Sequence, residues 1–183
     1  ASAVVDTKDD GTLVGSSPST TLLPGRETEY IVVFAVADPA DIVVGATGGV
    51  GSIALQLAAQ RGATVIATAK AGDEEAFVRA LGATETVDYA AGDVAGAIRA
   101  RFPDGVTALI DSVNRGEAFT PLAELVRRGG RIATTLSTAD AEALAAREVR
   151  ATNVMGSPTP EKLALLAAQV LAGTLRIQVQ RTF

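Results

Sequence analysis

Four of the eight residues in GATGGVGS, positions 45 to 52, are glycine, and they stand between the apolar run DIVV and the helical stretch SIALQLAAQRG. Glycine loses more backbone freedom on folding than any other residue and brings no side chain to pack, so a cluster of them needs a physical reason. A strand before the turn and a helix after it supply one. The turn then presents backbone N–H groups and the positive end of the helix dipole, about half an elementary charge, to whatever anion rests on it.

The residues around this turn decide what architecture it belongs to. From Asp41 onward short β-like runs (42–44, 64–69, 85–89, 108–113, 131–136, 150–156 and 175–180) alternate with helical patterns (52–60, 73–81, 93–101, 116–128, 139–148 and 160–172). Such alternation points to βαβ units on a parallel sheet. Gly62, Gly82, Gly129 and Gly173 each stand where a helix is expected to stop, and Thr159-Pro160-Glu161 reads as an N-cap followed by proline in the first turn. Right-handed crossovers favour a doubly wound α/β sheet with helices on both faces, its ligand crevice between the strands at 42–44 and 108–113, where the winding reverses. Residues 1–40 differ: turn formers surround two β-like runs, AVV and YIVVFAVA, without helical periodicity.

Composition excludes several functions. A net charge of −5 and few aromatics leave neither a basic stripe for a phosphate backbone nor a stacking platform, so nucleic acid is not an expected partner. The 183 residues contain no cysteine and no histidine, which removes disulfides, thiolate and imidazole zinc ligands, and a Ser-His-Asp triad. The longest apolar run is less than half the length that spans a bilayer, and no signal-like start is present. The expectation is a cytoplasmic protein without a membrane partner.

Read as A-T-G-G-V-G, residues Ala46, Thr47, Gly48, Gly49, Val50 and Gly51 match the dinucleotide fingerprint G-x-G-x-x-G with alanine in its first place. Gly48 would let a diphosphate approach, and Gly51 would let the helix pack closely on its strand. The competing reading is a turn glycine-rich for packing alone. About 20 residues further on, where an NAD site places an acidic ribose reader, the chain has Ala69 and then Lys70. A carboxylate about 4 Å from a 2′-phosphate would be repelled by roughly 1 to 4 kcal/mol, so a lysine there points to NADP(H). Against this stand Asp73, Glu74 and Glu75 close behind Lys70, and the reading of Lys70 as an ordinary solvated side chain.

Together with RALGATETVDY, GVTALIDSVN, LAELVRRGGRIATTL and KLALLAAQVLAGTLR, the segment DIVVGATGGVGSIALQLAAQRGATVIATA resembles the cofactor domain of the medium-chain dehydrogenase/reductase superfamily, most closely its zinc-independent quinone-reductase branch. The resemblance runs from about Asp41 to Phe183. It implies a Rossmann-type domain over 41–183, with 1–40 as a short remnant of the substrate domain that family members carry before it. It further implies reduction of a quinone, enone or related small electrophile by hydride from NADPH, without zinc. On matched positions, Gly48 to Gly51 would meet the diphosphate; Thr68, Lys70 and Tyr89 would surround the adenosine ribose and its phosphate; Val113 and Asn114 would approach the second ribose or the nicotinamide; and Thr135 and Leu136 would approach the nicotinamide. Glycine is more usual in the family where Asn114 stands, and Tyr89 also fits as a half-buried edge tyrosine. No catalytic side chain is named: Asp111 reads as a carboxylate bonded to nearby backbone, and Ser112 has no base beside it. A homodimer through the edge strand at 150–156 is expected. A catalytically idle NADP-binding module and a redox-sensing regulator of the short-chain-dehydrogenase type remain as alternatives, the latter without its Tyr-x-x-x-Lys pair.

Overall fold

The computed structural model describes residues 5–7, 13–15 and 41–177. Near the start, β1 (Val5–Thr7) pairs antiparallel with β2 (Leu13–Gly15). The run YIVVFAVA lies outside the described residues. The remaining elements, in chain order, are β3 (Asp41–Gly45), α1 (Gly49–Gln60), β4 (Thr64–Thr68), α2 (Asp73–Ala80), β5 (Glu85–Val87), α3 (Val94–Arg101), β6 (Val106–Asp111), α4 (Thr120–Ala123), β7 (Val126–Thr134), α5 (Ala141–Ala145), β8 (Arg150–Asn153) and α6 (Pro160–Leu171).

Strands β3 to β8 form one parallel sheet in the order β5-β4-β3-β6-β7-β8. The chain therefore winds outward from β3 through β4 to β5, crosses back to β6 and winds the other way to β8. The reversal falls between β3 and β6, as the sequence pattern requires.

Alternation along the strands feeds two cores. On β4, Val65 and Ala67 join Leu55 and Ala58 of α1 and Val78 of α2, while Ile66 between them packs with Ile98 of α3 and Leu122 of α4 on the opposite face. On β6 the same division holds, with Ala108 and Ile110 turned to the first cluster and Leu109 to the second. Leu55, Val65, Ile66 and Ile98 are fully buried, each contributing about 1.5 to 3 kcal/mol of transfer free energy. The sheet is thus covered by helices on both faces. No helix among the described residues is long and apolar enough to cross a membrane.

Two expected helices are shortened. Residues 116–128 form a single 3₁₀ turn (Gly116–Ala118) and the four-residue α4, and the chain is already in β7 at Val126. Pairing with the sheet overrides helical periodicity here: Val106 N–H donates to the Leu125 carbonyl at 2.8 Å, and Val126 pairs with the equally buried Val106. Gly129 (φ +77) and Gly130 then form an irregularity within β7 instead of the end of a helix, since Val106 opposes Val126 while Ala108 opposes Arg131. Likewise 139–148 contains only the five residues of α5, after which Glu148 turns at φ +58 and buried Val149 leads into β8. The expected strand at 175–180 is absent over its described part, 175–177; its remainder lies outside the described residues. Instead, the buried amide of Gln56 on α1 donates to the Arg176 carbonyl (2.9 Å) and accepts from the Arg176 N–H (2.7 Å), tying this segment to the helix face.

Candidate functional site

The glycine turn joins β3 to α1 as the sequence requires, and its glycines divide into two kinds. A Cβ on Gly51 would lie 1.8 Å from the Gly45 carbonyl oxygen and 3.0 Å from Ala46 Cα, so α1 sits on its strand only because Gly51 has no side chain. A Cβ on Gly48 or Gly49 would meet nothing within 4 Å. Gly48 is the N-cap of α1 in an extended conformation (φ −84, ψ 171), with no side-chain cap and no acidic residue in the first turn. The first N–H groups of a helix lack intrahelical partners, so α1 opens with uncapped donors and a positive dipole end on bare, exposed backbone. Such a helix start is chemically suited to an anion.

Beside the turn is a cleft of about 590 Å³, lined by Gly45, Ala46 and Thr47 at the end of β3, Thr68 at the end of β4, Tyr89, and Val113 and Asn114 after β6. All of these lie at the carboxyl ends of adjacent strands, where the winding reverses. Gly92, Asp93, Val94 and Ala95 around the start of α3, with Ala118, Pro121 and Leu122 near α4, close the far side.

The wall after β6 is held by Asp111. Its buried carboxylate accepts from the N–H groups of Val113 and Asn114 through Oδ1, both at 2.9 Å, and from Asn114 Nδ2 through Oδ2 at 2.8 Å. Three donors thus engage the carboxylate, the structural role expected of it. The turn leaves Val113 exposed over the cleft with its Cγ2 only 3.2 Å from where a Gly45 Cβ would stand.

At the opposite end, Lys70 is exposed and Thr68 half-buried. Tyr89 begins a 3₁₀ turn (Tyr89–Ala91) capped by the Asp88 side chain, so the β5 pattern ends two residues before it. Its phenol, with the residue 45% exposed, donates to both carboxylate oxygens of Glu74 at 3.0 and 2.9 Å. The same carboxylate accepts from the Lys70 N–H at 2.9 Å. The hydrogen bond to Glu74 holds the phenol pKa above its ordinary value. The sequence groups Glu74 with Asp73 and Glu75 as acidic neighbours weighing against a phosphate reading of Lys70; the structure sets Glu74 apart as the one bonded to both the Lys70 N–H and Tyr89.

Of the residues named from sequence, Ala46, Thr47, Thr68, Tyr89, Val113 and Asn114 line the cleft, and Gly48, Gly49, Val50 and Gly51 form the adjoining turn. Thr135 and Leu136 follow β7 at the same edge of the sheet, Thr135 N–H donating to the Asp111 carbonyl at 3.2 Å, but neither is among the lining residues. Among the described residues no group of three or more Asp, Glu, His or Cys side chains is placed to hold a metal ion.

This geometry defines a dinucleotide-binding domain, and comparison with known proteins places it in a family. Residues 49–165, more than half of the chain, match the family model described as zinc-binding dehydrogenase. The quinone oxidoreductase of Coxiella burnetii superposes with a TM-score of 0.68 at 32% identity, over 78% of this chain and 44% of that one. Prostaglandin reductase-3 of Bos taurus is 28% identical over 116 residues, 61% of this chain and 30% of that protein. An alcohol dehydrogenase, notN, of Aspergillus sp. (strain MF297-2) is 35% identical over 81 residues, 44% of this chain and 23% of that protein. The chain spans less than a third of the length of these two curated relatives. It belongs to the zinc-binding dehydrogenase family, in the quinone oxidoreductase-like branch of the medium-chain dehydrogenase/reductase superfamily.

Proposed function

We propose that this chain is the cofactor-binding part of an NADPH-dependent, zinc-independent oxidoreductase that reduces a quinone, an enone or a related small electrophile. The observation that carries the reading is the uncapped start of α1, with open space over Gly48 and Gly49, beside a cleft at the reversal of a parallel sheet. The likeness to the Coxiella burnetii quinone oxidoreductase supports the substrate class, and these 183 residues themselves offer no cysteine or histidine ligand to a zinc ion.

The N–H groups at Gly49, Val50 and Gly51 would hold the diphosphate, with Ala46 and Thr47 forming the floor. Thr68, Lys70 and Tyr89 would surround the adenosine ribose, Lys70 favouring a 2′-phosphate. Val113 and Asn114, braced by Asp111, would face the second ribose and the nicotinamide ring, and Thr135 and Leu136 would limit that ring from β7. The reduced nicotinamide supplies a hydride when bound. What the protein adds is orientation of the ring and exclusion of water, which need no acid or base side chain for the transfer itself. Residues 1–40 we assign to a preceding substrate domain and 41–183 to the dinucleotide domain. The outer edge of β8 we assign to a twofold contact with a second copy, which a concentration-independent monomer mass in sedimentation would contradict.

The test is calorimetric titration of the chain and of Gly48→Val with NADPH, followed by NADPH oxidation in the presence of a quinone. Binding that Gly48→Val abolishes, with quinone-dependent oxidation, supports the reading. Binding without turnover reassigns the chain as an idle NADP-binding module, and no binding overturns the proposal.

A further inference from the structure

The Glu74 carboxylate is held at the ribose end of the cleft by two neutral donors, the Tyr89 hydroxyl and the Lys70 N–H. Its neighbour Glu75 is differently placed, paired with Arg79 at 3.0 Å and accepting from the Thr86 hydroxyl. The ion pairs of the described residues include neither Glu74 nor Lys70, and the Lys70 backbone N–H ties the two residues together. Tyr89 lines the cleft and its hydroxyl is bonded to this carboxylate, while Glu74 and Lys70 stand just outside the lining.

We propose that Glu74 is a second specificity determinant for the 2′ position of the adenosine ribose, opposing Lys70 and so narrowing the preference for NADPH over NADH that Lys70 gives. This rests on the dinucleotide reading above. A free ribose 2′-hydroxyl is a donor, and a carboxylate already oriented by Tyr89 and the Lys70 amide has lone pairs to accept from it. A 2′-phosphate offers only acceptors and close to two negative charges, which the same carboxylate repels and the Lys70 ammonium attracts. Lys70 alone would give a phosphate site; Lys70 with Glu74 gives a compromise.

The experiment is side-by-side calorimetric titration with NADPH and NADH of the unaltered chain, Glu74→Gln, Lys70→Ala and the double variant. Glutamine keeps an acceptor for Tyr89 and Lys70 N–H while removing the charge, and a thermal melt confirms that each variant folds. Glu74→Gln is expected to tighten NADPH about 5-fold or more, the lower bound for a unit charge about 4 Å away, while NADH stays level or weakens. Lys70→Ala should move the ratio of the two affinities the other way, and both shifts should shrink as salt is raised. If Glu74→Gln changes both cofactors by the same factor, or weakens NADPH, the opposing role is wrong while the dinucleotide site stands. If the unaltered chain binds neither cofactor, both readings fall.

Discussion

The Cβ that Gly51 lacks would lie 1.8 Å from the carbonyl oxygen of Gly45, well inside any van der Waals contact. Two backbones have therefore been brought together at a point where only glycine is tolerated, and this approach sets how α1 leaves β3. Gly51→Ala is expected to cost about 2 to 3 kcal/mol, an overpacking penalty, through displacement of α1. A lowered urea midpoint with weakened cofactor binding is the expected result; native stability would show that the helix yields freely.

Gly48 provides the contrast. Its φ of −84 is open to any residue and its missing Cβ would meet nothing. Gly48→Val should therefore melt within about 1 kcal/mol of the unaltered chain, as surface changes do, yet fail to bind dinucleotide. Loss of stability on the scale of Gly51→Ala would mean that Gly48 serves packing and not a ligand.

Asp111→Ala removes the acceptor from two backbone N–H groups and the Asn114 amide at once. Donors left without a partner cost roughly 1 to 3 kcal/mol, and the freed turn would let Val113 and Asn114 drift from the cleft. The expected outcome is a stability loss of about 2 kcal/mol with faster amide exchange at 112–115. Rescue of nicotinamide-ring affinity by Asp111→Asn, which keeps an acceptor, would separate bracing from charge.

Alkaline titration tests the Tyr89–Glu74 bond. The phenol pKa is raised because its O–H donates to the Glu74 carboxylate, so the stability this bond contributes is fully present below the unfolded tyrosine pKa and is lost as pH rises through the folded one. In a Tyr30→Phe background, phenolate absorbance should appear at lower pH in Glu74→Ala than with Glu74 intact. Superimposable curves would remove the bond.

Acid titration tests Glu75. Hydrogen bonds from Thr86 and Arg79 lower its pKa, so its contribution holds above the unfolded carboxylate pKa and fades as pH falls through the depressed folded value. Glu75→Gln should flatten the acid limb of the stability curve; an unchanged limb would show that the pair contributes nothing measurable.

What could be read from the chain follows the length scale of each signal. The β3–α1 turn, the parallel sheet with helices on both faces, and the crevice position rest on periodicity and glycine placement, both local in sequence, and the structure agrees with them. The segment 116–128 was misread because its periodicity competes with the Val106–Val126 pairing, a partner 20 residues distant. Which of Asp73, Glu74 and Glu75 matters beside Lys70 was hidden for a similar reason: the choice of Glu74 depends on Tyr89, which arrives from beyond the next strand. Thr135 and Leu136 were read as the last residues of a strand, but β7 ends at Thr134 and neither lines the cleft, since where a strand ends does not say which side chains face one.

Lys70 and Tyr89 are exposed and Glu74 is half-buried, while the framework that carries them is sealed by Val65, Ile66, Ala67 and Val87. Positions near the surface exchange residues with little thermodynamic consequence, so on the assignment proposed above a lineage rewrites its coenzyme choice here by a charge swap without disturbing the folded scaffold.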